Sequence, residues 1–180
     1  EHPRRAGLSS FGAGGANVHL VIEEYRQARK SDVSAPDHPV VVPVSAKTDG
    51  ALRDAVARLR EAAAKADLTE LAYTLQIGRD AMRCRAAFVA RDGDNLLRKL
   101  DAFLAGDKGV AAAGEIPPGR REKAEALDPS AKDAAAVAEH WAGGGHVDWL
   151  RLYGDNRPHR IALPGYAFQR KRFWLPEAAK

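Results

Sequence analysis

The chain has 180 residues, of which 45% are hydrophobic, 29% charged and 7% aromatic. This composition is typical of a soluble globular domain, and no apolar run reaches the length of a membrane span, about 18 residues. The net charge of +4 arises from scattered basic residues balanced by 24 acidic ones, so it does not indicate a nucleic-acid-binding surface.

A glycine-rich stretch precedes the first predicted strand. Gly12, Gly14 and Gly15 stand before the β-branched run from Val18 to Ile22. A dinucleotide fingerprint needs the reverse order, with the strand before the glycines, and Asn17 stands where its last glycine would be. The stretch therefore predicts a tight backbone turn ahead of a strand.

The polar residues 26–39 predict a linker, and a strand follows at residues 40–46. Pro43 places that strand at a sheet edge or a bulge, because proline cannot donate a ladder hydrogen bond. Two helices are predicted next, capped by Thr48 or Asp49 and by Asp67. Residues 86–90 then predict a central strand.

A third predicted helix begins after residues 92–94 and ends near Gly106, and residues 108–116 predict another strand. Residues 117–130 predict a solvated connection, residues 132–141 a short helix that ends at three glycines, and residues 160–164 a strand or an extended run. The stretch "GGHVDWLRLYG" predicts a core anchor.

The order β-α-α-β-α-β predicts an α/β fold. We expect a small, about three-stranded sheet packed against two to three helices, with extended N- and C-terminal tails. The predicted core consists of Leu52, Val56, Leu59, Leu71, Leu75, Phe88, Leu100 and Phe103.

Candidate catalytic groups are few. Cys84 is the single cysteine, which favours a reducing compartment, and the cationic neighbours Arg83 and Arg85 can lower a thiol pKa. No histidine lies near it in sequence, so we predict a structural cysteine. His140 and His146 lack the spacing of a zinc site, which predicts no metal.

Two further patterns bear on binding or catalysis. Ser9, Ser10 and His19 lack a nucleophile elbow, so acyl transfer by a serine is not indicated. The C-terminal "FQRKRFW" interleaves basic and aromatic residues, which can stack on single-stranded nucleic acid. Because no RNA-binding motif stands elsewhere, we instead predict that these aromatic residues dock on protein.

Three motifs together resemble a region of modular polyketide synthases. "RRAGLSSFGAGGANVHLVIEEY" resembles the C-terminal end of a ketosynthase, in which a glycine-rich gating loop precedes the last core strand. "TLQIGRDAM", "RAAFVA" and "LLRKLDAFLAGD" resemble the linker domain after such ketosynthases. "VDWLRLYG" with "ALPGYAFQRKRFWL" resembles the segment that runs back across the linker domain and the ketosynthase surface.

The resemblance implies four parts. Residues 1–26 would be the end of a ketosynthase, residues 27–39 a linker, residues 40–165 the flanking linker or docking domain, and residues 166–180 a segment that wraps back onto the ketosynthase. The gating-loop remnant would be Phe11, Gly12, Gly14 and Gly15. The implied ketosynthase contacts are Tyr166, Phe168, Arg170, Arg172, Phe173 and Trp174.

The connection between the linker-domain motifs and "VDWLRLYG" is short. A synthase with a built-in acyltransferase would place that domain before "VDWLRLYG", whereas only a short hydrophilic connection lies between Ala113 and Lys132. The chain therefore resembles the trans-acyltransferase class, whose corresponding region is called an acyltransferase docking domain. The first residues, which lack a methionine, suggest an excised fragment. The resemblance implies that the catalytic cysteine and the two catalytic histidines of a ketosynthase are not present in it.

The resemblance implies a non-catalytic protein of the bacterial cytoplasm without a cofactor. Its partners would be the ketosynthase of the same chain and a free-standing acyltransferase, with an acyl carrier protein as a further candidate; nucleic acid, membrane and metal are not expected. Two alternatives stay open. One is an architectural spacer without affinity for an acyltransferase, and the other is an acyl-transfer enzyme that uses Cys84.

Overall fold

The computed structural model of the chain describes residues 2–25, 38–118, 126–155, 157–170 and 174. The chain divides into two compact units, Glu1–Lys30 and Ser31–Lys180, and each is treated by itself. The finer division into four parts, with boundaries at residues 26, 39 and 165, stays a prediction.

The first unit contains an antiparallel hairpin of two strands, β1 (Arg5–Phe11) and β2 (Asn17–Glu23). Strand β2 was predicted from its β-branched residues, but β1 was not, since "RAGLSSF" contains none. Residues 12–16 form the turn, in which Gly15 has a φ of 86°. A Cβ on Gly12 would lie 2.8 Å from the carbonyl oxygen of Ala16, so both glycines are needed for the turn.

The second unit is built on a three-stranded antiparallel sheet in the order β3-β4-β5. Its strands are β3 (Val40–Ala46), β4 (Cys84–Ala90) and β5 (Ala112–Glu115). Its helices are α1 (Asp49–Ala63), α2 (Leu68–Gly78), α3 (Gly93–Ala105) and α4 (Ala134–Ala142). Short 3-10 turns are formed by Lys108–Val110, Pro129–Ala131 and Trp149–Leu152. The predicted fold class and the element order up to β5 are confirmed.

Local sequence sets the helix ends. Thr48, Asp67 and Asp92 accept hydrogen bonds from backbone N–H groups of the first turns of α1, α2 and α3. These bonds satisfy donors that have no partner within a helix. Helix α3 ends at Gly106, which has a φ of 104° and donates its N–H back to the last turn. The caps at Thr48, Asp67 and Gly106 agree with the sequence analysis, whereas α3 begins at Gly93, within the turn that was expected to precede it.

The sheet is covered on both faces, because successive side chains of a strand point in opposite directions. Helices α1, α2 and α3 pack on the first face, where the main core is found. Helix α4 and the turn around Trp149 pack on the second face, together with Val41 and Ala87. The buried residues of the main core include Val42, Val44, Leu52, Val56, Leu59, Leu71, Leu75, Phe88, Leu96 and Leu100.

Strand β3 lies at the sheet edge, as Pro43 predicted. Helix α2 packs beside β3, and its Gln76 side chain donates from Nε2 to the carbonyl oxygen of Val41 at 2.7 Å. Tyr153 donates to the amide oxygen of Gln76 at 2.5 Å. The Gln76 bond supplies a donor to a buried carbonyl of the edge strand, and this helps to protect the edge.

The predicted solvated connection at residues 117–130 is only partly correct. Residues 119–125 lie outside the described residues, but Leu127 forms a parallel bridge with Val147 and Pro129 is buried. The Ser130 hydroxyl and the Arg151 guanidinium hydrogen-bond Asp128 at 2.6 and 2.7 Å and lower its pKa to about 2. The end of this connection is therefore bound to the domain.

Residues 157–170 cross the second unit in an extended path without helix or strand. We call this segment the strap. The stretch "RIALP" predicts a strand or an extended run, and the structure shows no strand there. Because the strap makes no ladder pairing, side chains of other elements bind its backbone.

Candidate interaction surfaces

Cys84 begins β4 and its side chain points into the main core, where the residue is 5% exposed. Arg83 is paired with Glu115, and Arg85 points to the opposite face of the sheet. Burial raises the pKa of the Cys84 thiol. The flanking arginines therefore do not activate it, although their position in the sequence allowed that interpretation.

We expect Cys84 to be unreactive in the folded chain. Incubation with an acyl thioester should leave no acyl group on it, because the thiol is buried and less ionised than an ordinary cysteine at neutral pH. Intact-mass measurement after treatment with the thioester, or with iodoacetamide, checks this, and the chain unfolded in urea serves as the reactive control. An acyl adduct on Cys84 of the folded chain would instead favour the enzymatic alternative.

The histidines do not converge on a metal site within the described residues, where no group of three His, Cys, Asp or Glu side chains could hold an ion. His140 lies in the last turn of α4, and its Nε2 is 3.2 Å from the carbonyl oxygen of His146. His19 pairs with the Ser9 hydroxyl at 2.8 Å on an exposed face of the hairpin. Among the described residues, no helix is long and apolar enough to cross a membrane.

The hairpin exposes an apolar face. Residues opposite one another in its register share a face, so Ala6, Leu8, Val18, Leu20 and Ile22 form one continuous side. Every residue of both strands is exposed in this chain. An apolar strand face of this kind is normally buried against another layer. Phe11, at the start of the glycine turn, is also exposed.

Four side chains bind the strap to the domain. Thr74 accepts the N–H of Ile161 at 3.0 Å, and Arg79 donates to the carbonyl oxygens of Leu163 and Pro164 at 3.3 Å each. Further along, the strap itself contributes, with the Tyr166 hydroxyl accepting the N–H of Lys47 and Gln169 accepting the Thr48 hydroxyl, both at 3.1 Å. Thr74 and Arg79 were not singled out by sequence reasoning, although both lie within the motif "TLQIGRDAM".

The strap separates an inner from an outer set of side chains. Ala167 is fully buried, and Tyr166 packs against the main core of its own domain. Phe168 is 76% exposed and stacks edge-on with Tyr166, at a centroid distance of 4.9 Å. Arg170 is exposed, as is Trp174 at 77%.

Two of the predicted ketosynthase contacts, Arg172 and Phe173, lie outside the described residues. Tyr166 faces its own domain, whereas Phe168, Arg170 and Trp174 are accessible to a partner. The assignment of all six residues, and of the gating-loop remnant, stays a prediction.

A cleft of about 600 Å³ lies beside the strap, with residues 163–167 along one wall and Ser45 and Asp80 near the other. Ser45 accepts the N–H of Met82 at 2.9 Å and donates to the carbonyl oxygen of Asp80 at 3.2 Å. These polar groups already bond within the fold, so they do not define a ligand site.

Comparison with protein families gives one match within the second unit. Residues 44–107 match the model described as the RhiE-like, KS-MAT linker domain. This range covers the end of β3 and all of α1, α2, β4 and α3, which build the main core.

Curated relatives match almost the whole chain. Polyketide synthase PksN of Bacillus subtilis is 38% identical over 98% of this chain, and polyketide synthase ThaG of Burkholderia thailandensis is 40% identical over 96%. The chain spans only 4% of the length of each of these proteins.

The similar solved structures are ketosynthases of polyketide synthases, as the curated relatives would lead one to expect. The ketosynthase from module 6 of the bacillaene synthase of Bacillus subtilis is 33% identical, with a TM-score of 0.66. Ketosynthase twelve of the bacillaene synthase of Bacillus amyloliquefaciens is 34% identical, with a TM-score of 0.67. The matches cover 97% of this chain and 32% and 30% of those chains, respectively.

Proposed function

Because the chain belongs to the linker region that lies next to the ketosynthase in polyketide synthases, we propose that it is a non-catalytic linker and docking domain of a modular trans-acyltransferase synthase. In this proposal the domain braces the ketosynthase of the same polypeptide and recruits a free-standing acyltransferase. An acyl carrier protein is a further candidate partner.

The observation that carries the bracing role is the construction of the strap. Its inner side chains bind it to the linker domain, while Phe168 remains 76% exposed; Trp174, which follows the strap, is 77% exposed. A large aromatic side chain on a held backbone, such as Phe168, favours a packed protein interface, because little conformational entropy is lost when it is buried. We propose that Phe168, Arg170 and Trp174, together with Arg172 and Phe173 of the same segment, contact the ketosynthase.

The exposed apolar face of the hairpin fits the same proposal. In a ketosynthase, this hairpin would be one part of a larger core, and the face that includes Leu8, Leu20 and Ile22 would be covered by the rest of it. The glycine turn with Phe11, Gly12, Gly14 and Gly15 would then lie at the ketosynthase active site as part of its gate.

The trans-acyltransferase assignment is supported by the short connection after β5. That strand ends at Glu115, and Leu127 already bonds back to the same domain, donating its N–H to His146 and accepting the N–H of Asp148. Residues 116–126 are too few to contain a domain. The acyltransferase would therefore be supplied by a separate protein, for which this linker domain provides a surface.

A calorimetric titration with the free-standing acyltransferase of the same pathway tests recruitment. Saturable binding with a Kd of about 1 μM or lower would support a docking domain. A double variant, Phe168→Ala with Trp174→Ala, is the matched control, because these outer aromatic side chains are assigned to the ketosynthase and acyltransferase binding should therefore be unchanged. Loss of binding in this variant would instead place the acyltransferase on the outer side of the strap and contradict the assignment of these residues to the ketosynthase.

The absence of both heat and complex would contradict recruitment. The chain would then be an architectural spacer that braces the ketosynthase only, which is the second candidate function. The family assignment and the short connection after β5 are compatible with that function, so the titration decides between the two.

A further inference from the structure

The strap is held through its backbone by side chains that come from distant parts of the chain. Ile161 is bound by a residue 87 positions earlier, and Leu163 by one 84 positions earlier. Two prolines, Pro158 and Pro164, lack an N–H, so the strap is a poor partner for a sheet edge. The position of the strap on the domain therefore depends on a small number of side-chain contacts.

Thr74 is the first of these contacts. It lies on α2 with 3% exposure, and its hydroxyl donates to the carbonyl oxygen of Glu70 at 2.7 Å. The Thr74 hydroxyl oxygen also accepts the N–H of Ile161 at 3.0 Å. A serine could reproduce both bonds, whereas a valine has the same shape and neither bond.

Arg79 is the second contact and follows the C-terminus of α2. One guanidinium nitrogen donates to the carbonyl oxygens of Leu163 and Pro164, and another donates to Gly78 at 2.9 Å. A planar guanidinium can serve several carbonyls at once, which a lysine ammonium cannot do in the same geometry. Two successive carbonyls of the strap are thereby fixed relative to α2.

The end of the strap is fixed at the start of α1. The Tyr166 hydroxyl and the Gln169 side chain bond to Lys47 and Thr48, and the strap passes so close to Gly50 that a Cβ there would overlap the Gln169 amide. Between these contacts Ala167 is fully buried. This sequence of contacts determines which side chains point outward, and Phe168 is one of them.

We propose that Thr74 and Arg79 are positioning residues that fix the register of the strap on the linker domain and so orient Phe168 toward its partner. The identity of that partner as the ketosynthase rests on the proposed function. The fixing of the register depends only on contacts within this chain.

Amide hydrogen exchange in the intact chain tests the proposal. In Thr74→Val, the amide of Ile161 should exchange about five- to tenfold faster, which is the effect expected for the loss of one ordinary hydrogen bond. In Thr74→Ser it should exchange as in the unchanged chain. The amides of β4 should be unaffected in both variants and report that the core is intact. Unchanged exchange at Ile161 in Thr74→Val would overturn the role of Thr74.

Arg79→Met provides an independent measurement. Its side chain does not bond to Ile161, so faster exchange at Ile161 in this variant would show that the strap is held as one unit. Arg83→Met is the matched control, because Arg83 pairs with Glu115 and has no contact with the strap. Unchanged strap exchange in Arg79→Met would overturn the role of Arg79. Neither outcome depends on a ketosynthase or an acyltransferase, so a failure of the proposed function would be seen separately.

Discussion

Replacing Arg85 by methionine should lower the free energy of unfolding of the second unit by about 2–4 kcal/mol. Arg85 lies on β4, the central strand of the sheet, and is only 3% exposed. Its guanidinium donates to the carbonyl oxygens of Met82, Trp141 and Gly145 at 2.8, 2.9 and 3.3 Å. Methionine has similar length but no donor, so the half-buried carbonyls of Met82 and Gly145 lose this donor, and that of Trp141 keeps the N–H of Gly144.

The same side chain also joins α4 to the sheet. Trp141 lies in the last turn of α4, where a cation is favoured by the helix dipole, and the guanidinium carbon is 5.1 Å from the centre of the Trp141 ring. Arg85 therefore acts as a link between β4 and α4. We expect its loss to release α4 before the main core unfolds.

Urea denaturation followed by tryptophan fluorescence measures the effect. The matched control is Arg83→Met, two residues earlier, since Arg83 makes an exposed ion pair with Glu115. That variant should have a nearly unchanged denaturation midpoint. Equal midpoints for the two variants would contradict the role of Arg85 in holding α4.

Phe88→Ala should produce the largest loss of stability, about 3–5 kcal/mol. Phe88 lies on the central strand β4 with no exposed surface, and its ring stacks edge-on with Phe103 of α3 at a centroid distance of 5.5 Å. The substitution removes apolar contacts and leaves a cavity between the sheet and α3. Well-packed neighbours on a central strand have little freedom to fill such a cavity.

Phe168→Ala is the control for this prediction, because it removes the same atoms from a side chain that is 76% exposed. It should change the free energy of unfolding by less than about 0.5 kcal/mol. Chemical denaturation of both variants gives the comparison. A similar loss of stability in the two variants would mean that the strap belongs to the core of the domain and is not a surface element.

The core of the second unit could be predicted because its signals are local. Helical spacing placed Leu52, Val56 and Leu59 on one buried face, and Thr48 and Asp67 marked helix starts through their own side chains. These features depend on neighbours within one or two turns. All eight predicted core residues lie in the main core or pack directly against it.

Other features could not be predicted because they depend on residues far apart in the sequence. The charge of Arg85 in an apolar strand gave no indication that it would meet the end of α4, which lies 56 residues later. Strand β1 was missed because serine and glycine are poor strand formers, and it is its pairing with β2 that makes it a strand. The strap has no periodicity of its own, and the side chains that bind it, such as Thr74 and Arg79, lie more than 80 residues earlier in the sequence.

The two faces of the sheet explain how one small domain can hold several segments. The first face forms the main core with α1, α2 and α3, while the second binds α4 and the turn around Trp149. The connection after β5 returns to this second face through Leu127. The segments on either side of the connection are therefore fixed on one domain, as the proposed bracing role requires.

In the proposed function, the linker domain presents the outer side of the strap to a ketosynthase. Photo-crosslinking can detect this contact in a polypeptide that carries the ketosynthase ahead of this chain, with a benzoyl-phenylalanine in place of Phe168. The same probe in place of Phe103, which packs against the main core, is the control and should crosslink within the linker domain only. We predict crosslinked peptides from the ketosynthase for the probe at position 168. Crosslinks that stay within the linker domain for both probes would contradict the proposed contact.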